Sequence, residues 1–78
     1  MKKIDNSECL AGFGSFIRKE RERRELTQAE VAEKLDIYFT YYSMIERGKR
    51  NVDLVMALKI CATLGLDLAD YIRQYMSE

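Results

Sequence analysis

The 78-residue sequence contains no histidine and no proline, and it has only two cysteines, Cys9 and Cys61. A structural zinc site needs four cysteine or histidine ligands, so two cysteines cannot complete one, and no metal or other cofactor is expected. Cys61 lies in an apolar stretch and is predicted to be a core thiol. Cys9 is predicted to be exposed near the N-terminus. Without histidine, a glycine-rich phosphate loop or a nucleophile beside a base, no enzymatic activity is expected.

Long apolar runs are also missing. No stretch approaches the roughly 18 residues that span a bilayer, and no signal-peptide core follows Lys2 and Lys3, so a cytoplasmic protein is expected. No linker, repeat or low-complexity segment divides the chain. We therefore predict an N-terminal arm over residues 1–9 and one domain over residues 10–78. Such a small domain buries only about 60% of its unfolded surface, so pairing with a second copy would add stability.

Neither sign of charge is in excess, because 13 Lys and Arg balance 13 Asp and Glu. The basic side chains nevertheless cluster in two places, over residues 18–24 and 47–50. The second cluster has no acidic residue among its members, and a local patch of this kind attracts polyanions even on a neutral molecule. The first cluster is interpreted either as a solvated helix face or as part of a polyanion-binding surface.

Helical periodicity and capping signals predict five helices and no strand, which is an all-α fold. The helices are predicted at about residues 11–24, 28–36, 39–47, 54–64 and 68 onward. The clearest start signal is a capping box formed by Thr27 and Glu30. Gly48 and Gly65 are predicted helix terminators, and Asp53 and Asp67 are predicted caps. The fourth helix is predicted to present one apolar stripe, made of Leu54, Leu58, Cys61 and Leu64.

The second and third predicted helices are short and joined by a tight turn, which is typical of a helix-turn-helix. Apolar residues fall at Val31, Leu35, Ile37 and Ile45, and the small Ala32 between them allows a close, steep crossing. An ordinary helical bundle with similar spacing is the competing interpretation.

Three stretches carry a resemblance to a known family: LTQAEVAEKL at 26–35, IERGKRN at 45–51 and LKICATLGL at 58–66. Together they resemble the Cro/phage-repressor (Xre) helix-turn-helix family, and the chain is similar to the small dimeric controller proteins of restriction–modification systems. The resemblance covers about residues 13–72. It implies a five-helix, phage-repressor-like, DNA-binding bundle. It also implies a sequence-specific transcriptional regulator of bacterial or phage type, such as a repressor, associated with the nucleoid.

The resemblance further implies which residues meet double-stranded DNA. The third helix would be the recognition helix in the major groove. Base-facing positions match Phe39, Thr40, Ser43 and Met44. Backbone-contacting positions match Thr27, Gln28, Arg47, Lys49, Arg50 and Asn51. For Thr27 the alternative is that it only caps the second helix. For the basic residues of the loop the alternative is that they are merely solvated. Arg21 and Glu46 match a partly buried structural ion pair.

Three residues depart from the family pattern. Asp36 stands where glycine is usual, although aspartate tolerates a left-handed backbone. Tyr42 replaces a branched aliphatic residue, so its ring must fit between helices or its hydroxyl must reach the surface. Tyr38 replaces a serine that often caps the recognition helix.

The recognition helix is unusually aromatic and apolar. Phe39 and Met44 cannot form the paired hydrogen bonds of a typical base reader, but they can pack on thymine methyl groups. The same residues would suit a protein-interaction module that keeps the fold and binds DNA weakly or not at all.

A homodimer is the expected assembly, since one small module makes few DNA contacts. The predicted interface lies on the fourth and fifth helices, and its main residues are Leu68, Ile72, Tyr75 and Met76. The alternative for Leu68 and Ile72 is packing within one subunit. No small-molecule effector is expected.

Overall fold

The computed structural model describes residues 4–76, which contain five α-helices and no strand. The helices are α1 (Asn6–Arg23), α2 (Gln28–Leu35), α3 (Phe39–Glu46), α4 (Leu54–Leu64) and α5 (Leu68–Tyr71). A π-helical segment, Ile72–Met76, continues directly from α5. The predicted all-α, five-helix architecture is confirmed.

The first helix begins earlier than predicted, at Asn6 instead of about residue 11. Asp5 caps it, because the Asp5 side chain accepts a hydrogen bond of 2.8 Å from the backbone N–H of Glu8. Residues 6–9 therefore belong to α1 and not to an arm, and residues 1–3 of the predicted arm lie outside the described residues. The prediction of an exposed Cys9 was wrong. This residue is half-buried, and its backbone carbonyl accepts a 2.6 Å hydrogen bond from the Tyr71 hydroxyl.

The turn between α2 and α3 has the geometry that local chemistry predicts. Thr27 and Glu30 form both hydrogen bonds of the capping box at the start of α2. Asp36 ends α2 in the left-handed conformation, with φ of 56°. The backbone N–H of Ile37 then donates to the carbonyl of Ala32 at 3.0 Å, which closes the turn. The chain is thereby reversed with no glycine in the turn, as aspartate's tolerance of this conformation allows.

The core lies where α3 and α4 pack against α1 and α2. Its fully buried side chains include Ile17, Val31, Ile45, Ile60 and Leu64. Cys61 is buried as predicted. Within residues 4–76, no helix is both long enough and apolar enough to cross a membrane.

The predicted apolar stripe of α4 was partly wrong. Leu54 and Leu58 are 65% and 49% exposed, whereas Ile60 joins the predicted Cys61 and Leu64 in the core. Both sides of this helix are rich in apolar residues, so periodicity alone supports more than one stripe. Contact with the other helices selects the inward side.

Candidate nucleic-acid interface

The eight residues of α3 divide into an outward and an inward side. Tyr42, Ile45 and Glu46 are buried. The four predicted base-facing residues lie on the other side of the helix, where Phe39 and Thr40 are exposed and Ser43 and Met44 are half-buried. At 3.6 residues per turn these four share one arc. The structure thus gathers the predicted base-facing residues on a single outward surface, and their contact with bases stays a prediction.

The start of α3 is open. Tyr38 occupies the capping position without a side-chain hydrogen bond to the helix, and it is 84% exposed. Phe39 follows it at 51% exposure. The first N–H groups of α3 therefore receive no cap from this residue, and two exposed aromatic residues mark this end of the helix.

The opposite end of α3 is held by the predicted ion pair. Arg21 donates from Nε to Glu46 Oε2 at 2.6 Å and from its Nη2 to Oε1 at 2.9 Å. A third guanidinium nitrogen, Nη1, donates to the Leu26 carbonyl at 2.8 Å. The side chains of Arg21 and Glu46 are 11% and 1% exposed, so the pair is bidentate and largely removed from water. The predicted structural role of both residues fits this geometry.

Gln28 adds a bond to this pair that the sequence analysis missed. Its amide Nε2 donates to Glu46 Oε1 at 2.9 Å. One carboxylate thus links α1, the first residue of α2 and the last residue of α3. The sequence around Gln28 offers no local signal for this bond, because its partner Glu46 is 18 residues away and lies on another helix.

Burial and hydrogen bonding act in opposite directions on Glu46. Burial raises the pKa of its carboxyl, but the hydrogen bonds from Arg21 and Gln28, with the Tyr42 hydroxyl nearby, outweigh burial, and the pKa lies below its usual value of 4.5. The hydrogen bond to Glu46 likewise raises the pKa of Arg21. Both groups are therefore charged at neutral pH, and they form an ion pair that links α1 to the end of α3.

Tyr42, which departs from the family pattern, is accommodated entirely within the core. Its ring is fully buried, so the hydroxyl does not reach the surface. The hydroxyl lies near Glu46 without a hydrogen bond of good geometry to any described group. Burial, reinforced by the nearby carboxylate, raises the pKa of this phenol.

The Gln28 bond also places the start of α2 near the start of the basic loop. Gln28 touches Glu46, and Arg47 is the next residue in the chain. Arg47, Lys49, Arg50 and Asn51 are all exposed, as is Thr27. Thr27 also accepts a hydrogen bond from the Glu30 N–H at 3.0 Å, so its capping role is present whether or not it meets DNA.

The two basic clusters behave differently. In the first cluster, Arg23 and Arg24 both donate to Glu20, at 2.6 and 2.7 Å, and these bonds lower the pKa of Glu20 to about 2. In the second, Arg47, Lys49 and Arg50 make no ion pair with any described carboxylate. Their positive charge is therefore uncompensated locally, whereas much of the first cluster is neutralised on its own helix.

The residues predicted to form a dimer interface mostly pack within the chain. Leu68, Tyr75 and Met76 pack against the core, and only Ile72 among the four is strongly exposed, at 49%. The larger exposed apolar group lies on α4 and comprises Leu54, Val55 and Leu58. An apolar groove of about 190 Å³ runs beside it, lined by residues that include Leu54, Val52 and Leu68. A role of these residues in dimerisation stays a prediction.

Comparison with known proteins connects this geometry to a family. The family model described as helix-turn-helix matches residues 17–71. Control protein C.MunI of a Mycoplasma species is 48% identical over 59 residues, which cover 74% of this chain and 80% of that protein. Control protein C.BamHI of Bacillus amyloliquefaciens is 40% identical over 63 residues, covering 76% and 78% of the two chains. A Bacillus subtilis protein named as an uncharacterised HTH-type transcriptional regulator, YqaF, is 33% identical over 63 residues, covering 81% and 83%.

Proposed function

This chain belongs to the helix-turn-helix family and is a DNA-binding transcriptional regulator, and from that premise we propose that it reads a specific duplex sequence with α3 in the major groove. The observation that carries the proposal is that α3, with its outward arc, ends beside two groups suited to phosphate. One is the N-terminus of α2, and the other is the basic loop at 47–51. Helix N-termini and uncompensated cations both favour the phosphate backbone.

Base reading in this proposal is divided between two kinds of side chain. Thr40 and Ser43 offer hydroxyls, which donate to or accept from base edges. Phe39 and Met44 offer apolar surface for thymine methyl groups. We therefore expect a site with adenine–thymine pairs opposite the start of α3.

The assembly in this proposal is a homodimer. The exposed group Leu54, Val55 and Leu58 with its adjoining groove is an apolar surface that a second copy would cover, and a 78-residue domain gains stability from such burial. Leu68 lines the groove, so the predicted interface and the α4 surface adjoin. A two-fold dimer would bind a palindrome with half-sites about 34–36 Å apart.

Selection of bound sites from a random duplex library tests the base-reading and dimer parts together. A palindromic, A·T-containing motif is the expected result, and recovery of no motif would contradict sequence-specific binding.

Sedimentation of Leu54→Lys tests the surface on α4, with Lys34→Gln as a control for an exposed change away from that surface. The Leu54 variant is expected to be monomeric where the wild type is dimeric.

The phosphate contacts are tested by the salt dependence of binding. Removing one charge from the loop with Lys49→Gln should weaken binding to every duplex and reduce the slope against log salt by about one. Lys34→Gln removes the same charge from the last turn of α2 and should change neither quantity. Equal effects of the two variants would assign binding to overall charge and not to the loop.

By its likeness to control proteins, the chain would act as a controller of restriction–modification type in the cytoplasm, at the nucleoid, without catalysis and without a small-molecule effector. The competing role is a protein-interaction module, which the exposed rings of Tyr38 and Phe39 favour. Absence of duplex binding at low salt would support that role instead.

A further inference from the structure

An aromatic ring of α3 lies under one of the loop cations. The guanidinium carbon of Arg50 is 4.8 Å from the centroid of the Tyr41 ring. Tyr41 is half-buried at the border between the outward and inward sides of α3, and Arg50 lies in the irregular loop that follows the helix. An exposed arginine in such a loop has many rotamers, and the ring selects among them by attraction to its face.

Building on the proposed function, we infer that Tyr41 is a positioning residue for Arg50. The ring holds the guanidinium beside the recognition helix, so a DNA phosphate meets an arginine that is already in place. Ordering a long side chain on binding costs affinity, and prior placement removes part of that cost.

The geometry leaves the donors of Arg50 available. Attraction to the face of a ring needs no N–H donor, and the Arg50 guanidinium has no hydrogen bond or ion pair with a described residue, so its five donors are left for a phosphate. Arg21 is the opposite case, because its nitrogens are bonded to Glu46 and to the Leu26 carbonyl. The two arginines therefore have separate functions. The N–H donors of Arg21 are occupied by partners within the fold, whereas Arg50 is oriented while its N–H donors stay available.

The other loop cations lack this placement. Among the described residues, neither Arg47 nor Lys49 has an ion pair or a ring contact. Tyr41 thus acts on one phosphate contact of the surface, which makes its effect separable from a general effect on the fold.

A double-mutant cycle tests the inference, with a fluorescent random-sequence duplex as the probe and polarisation measured across a sodium chloride series. Tyr41→Leu removes the ring and is expected to weaken binding about two- to five-fold, as an exposed cation–π contact predicts. Tyr41→Phe keeps the ring and should bind within two-fold of wild type. Arg50→Gln should weaken binding further and lower the salt slope by about one.

The decisive comparison is Tyr41→Leu made in the Arg50→Gln protein. If Tyr41 acts through Arg50, the second change adds nothing. An equal loss in both backgrounds would overturn the inference, because Tyr41 would then act independently of Arg50. A loss in Tyr41→Phe as large as in Tyr41→Leu would also overturn it, since the hydroxyl and not the ring would matter.

A measurement on the free protein separates this inference from the proposed function. Ring current from Tyr41 should shift the δ-proton resonances of Arg50 upfield in wild type and in Tyr41→Phe. Absence of the upfield shift in wild type overturns the inference while leaving DNA binding intact. Absence of duplex binding by the wild type overturns the proposed function and the inference resting on it.

Discussion

Adding one methyl group at Gly14 should move α1 and the end of α3 apart. A Cβ at this buried position would lie 2.7 Å from the carbonyl carbon of Glu46 and 2.8 Å from the carbonyl oxygen of Ile45. Carbon–carbon contacts are optimal at about 3.5–4.0 Å, so the carbonyl carbon would be about 1 Å too close. Both obstacles are backbone atoms, which cannot rotate away as a side chain would.

The magnitude follows from two opposing effects. Alanine is about 0.8–1.0 kcal/mol better than glycine inside a helix. Overpacking costs about 1–3 kcal/mol, and a rigid backbone obstacle places Gly14→Ala at the upper end. We expect a net loss of about 2 kcal/mol in the free energy of unfolding. For a domain of this size that loss lowers Tm by about 8–16 °C.

Gly12 provides a matched control in the same helix. Its Cβ would meet the nearest atoms, in the rings of Tyr71 and Tyr75, at 3.4 Å, which is ordinary contact distance. Gly12→Ala should therefore show the helix-propensity gain of about 0.5–1 kcal/mol with little packing cost. The same substitution two residues apart is expected to change stability in opposite directions.

Urea denaturation followed by circular dichroism measures both variants, and duplex binding reports whether α3 has moved. Gly14→Ala should also weaken DNA binding, because the displaced segment includes Glu46 and the start of the basic loop. A Gly14→Ala protein as stable as wild type would refute the reasoning. So would two variants that shift stability in the same direction by the same amount.

Three further substitutions test other features of the structure. Two concern Glu46 and the neighbouring Tyr42 on the inward side of α3, and the third concerns the left-handed backbone at Glu25. Glu46 has a lowered pKa, so its stabilisation is present above the unfolded value near 4.5 and is lost as pH falls through the lower folded pKa. Melts from pH 7 to 2 should show this loss in wild type and a flatter profile in Glu46→Gln; identical profiles would contradict it. Tyr42→Phe removes a buried hydroxyl without a partner and should add about 1 kcal/mol in urea titrations; a destabilised variant would mean that the hydroxyl supports Glu46. Glu25 has φ of 56°, so Glu25→Gly should raise Tm through relief of about 1 kcal/mol of strain, and a lower Tm would contradict that reading.

Local chemistry determined most of the helix boundaries, because caps and terminators act over three or four residues. The capping box at Thr27, the left-handed Asp36 and the caps at Asp53 and Asp67 all follow from side chains close in sequence. The start of α1 was predicted too late because the Asp5 cap precedes the first apolar residues. Periodicity marks where apolar residues recur, and a polar first turn carries no such mark.

The sequence by itself determined the fold class, the helix-turn-helix and the identities of the residues expected to meet DNA, since these depend on short-range signals and on resemblance. Only the tertiary structure decided which side of α4 faces the core, which arginines are used in internal pairs and which ring holds Arg50. These outcomes depend on contacts between residues far apart in the chain. Periodicity and charge counts leave several partners open for each side chain, and packing in three dimensions selects one.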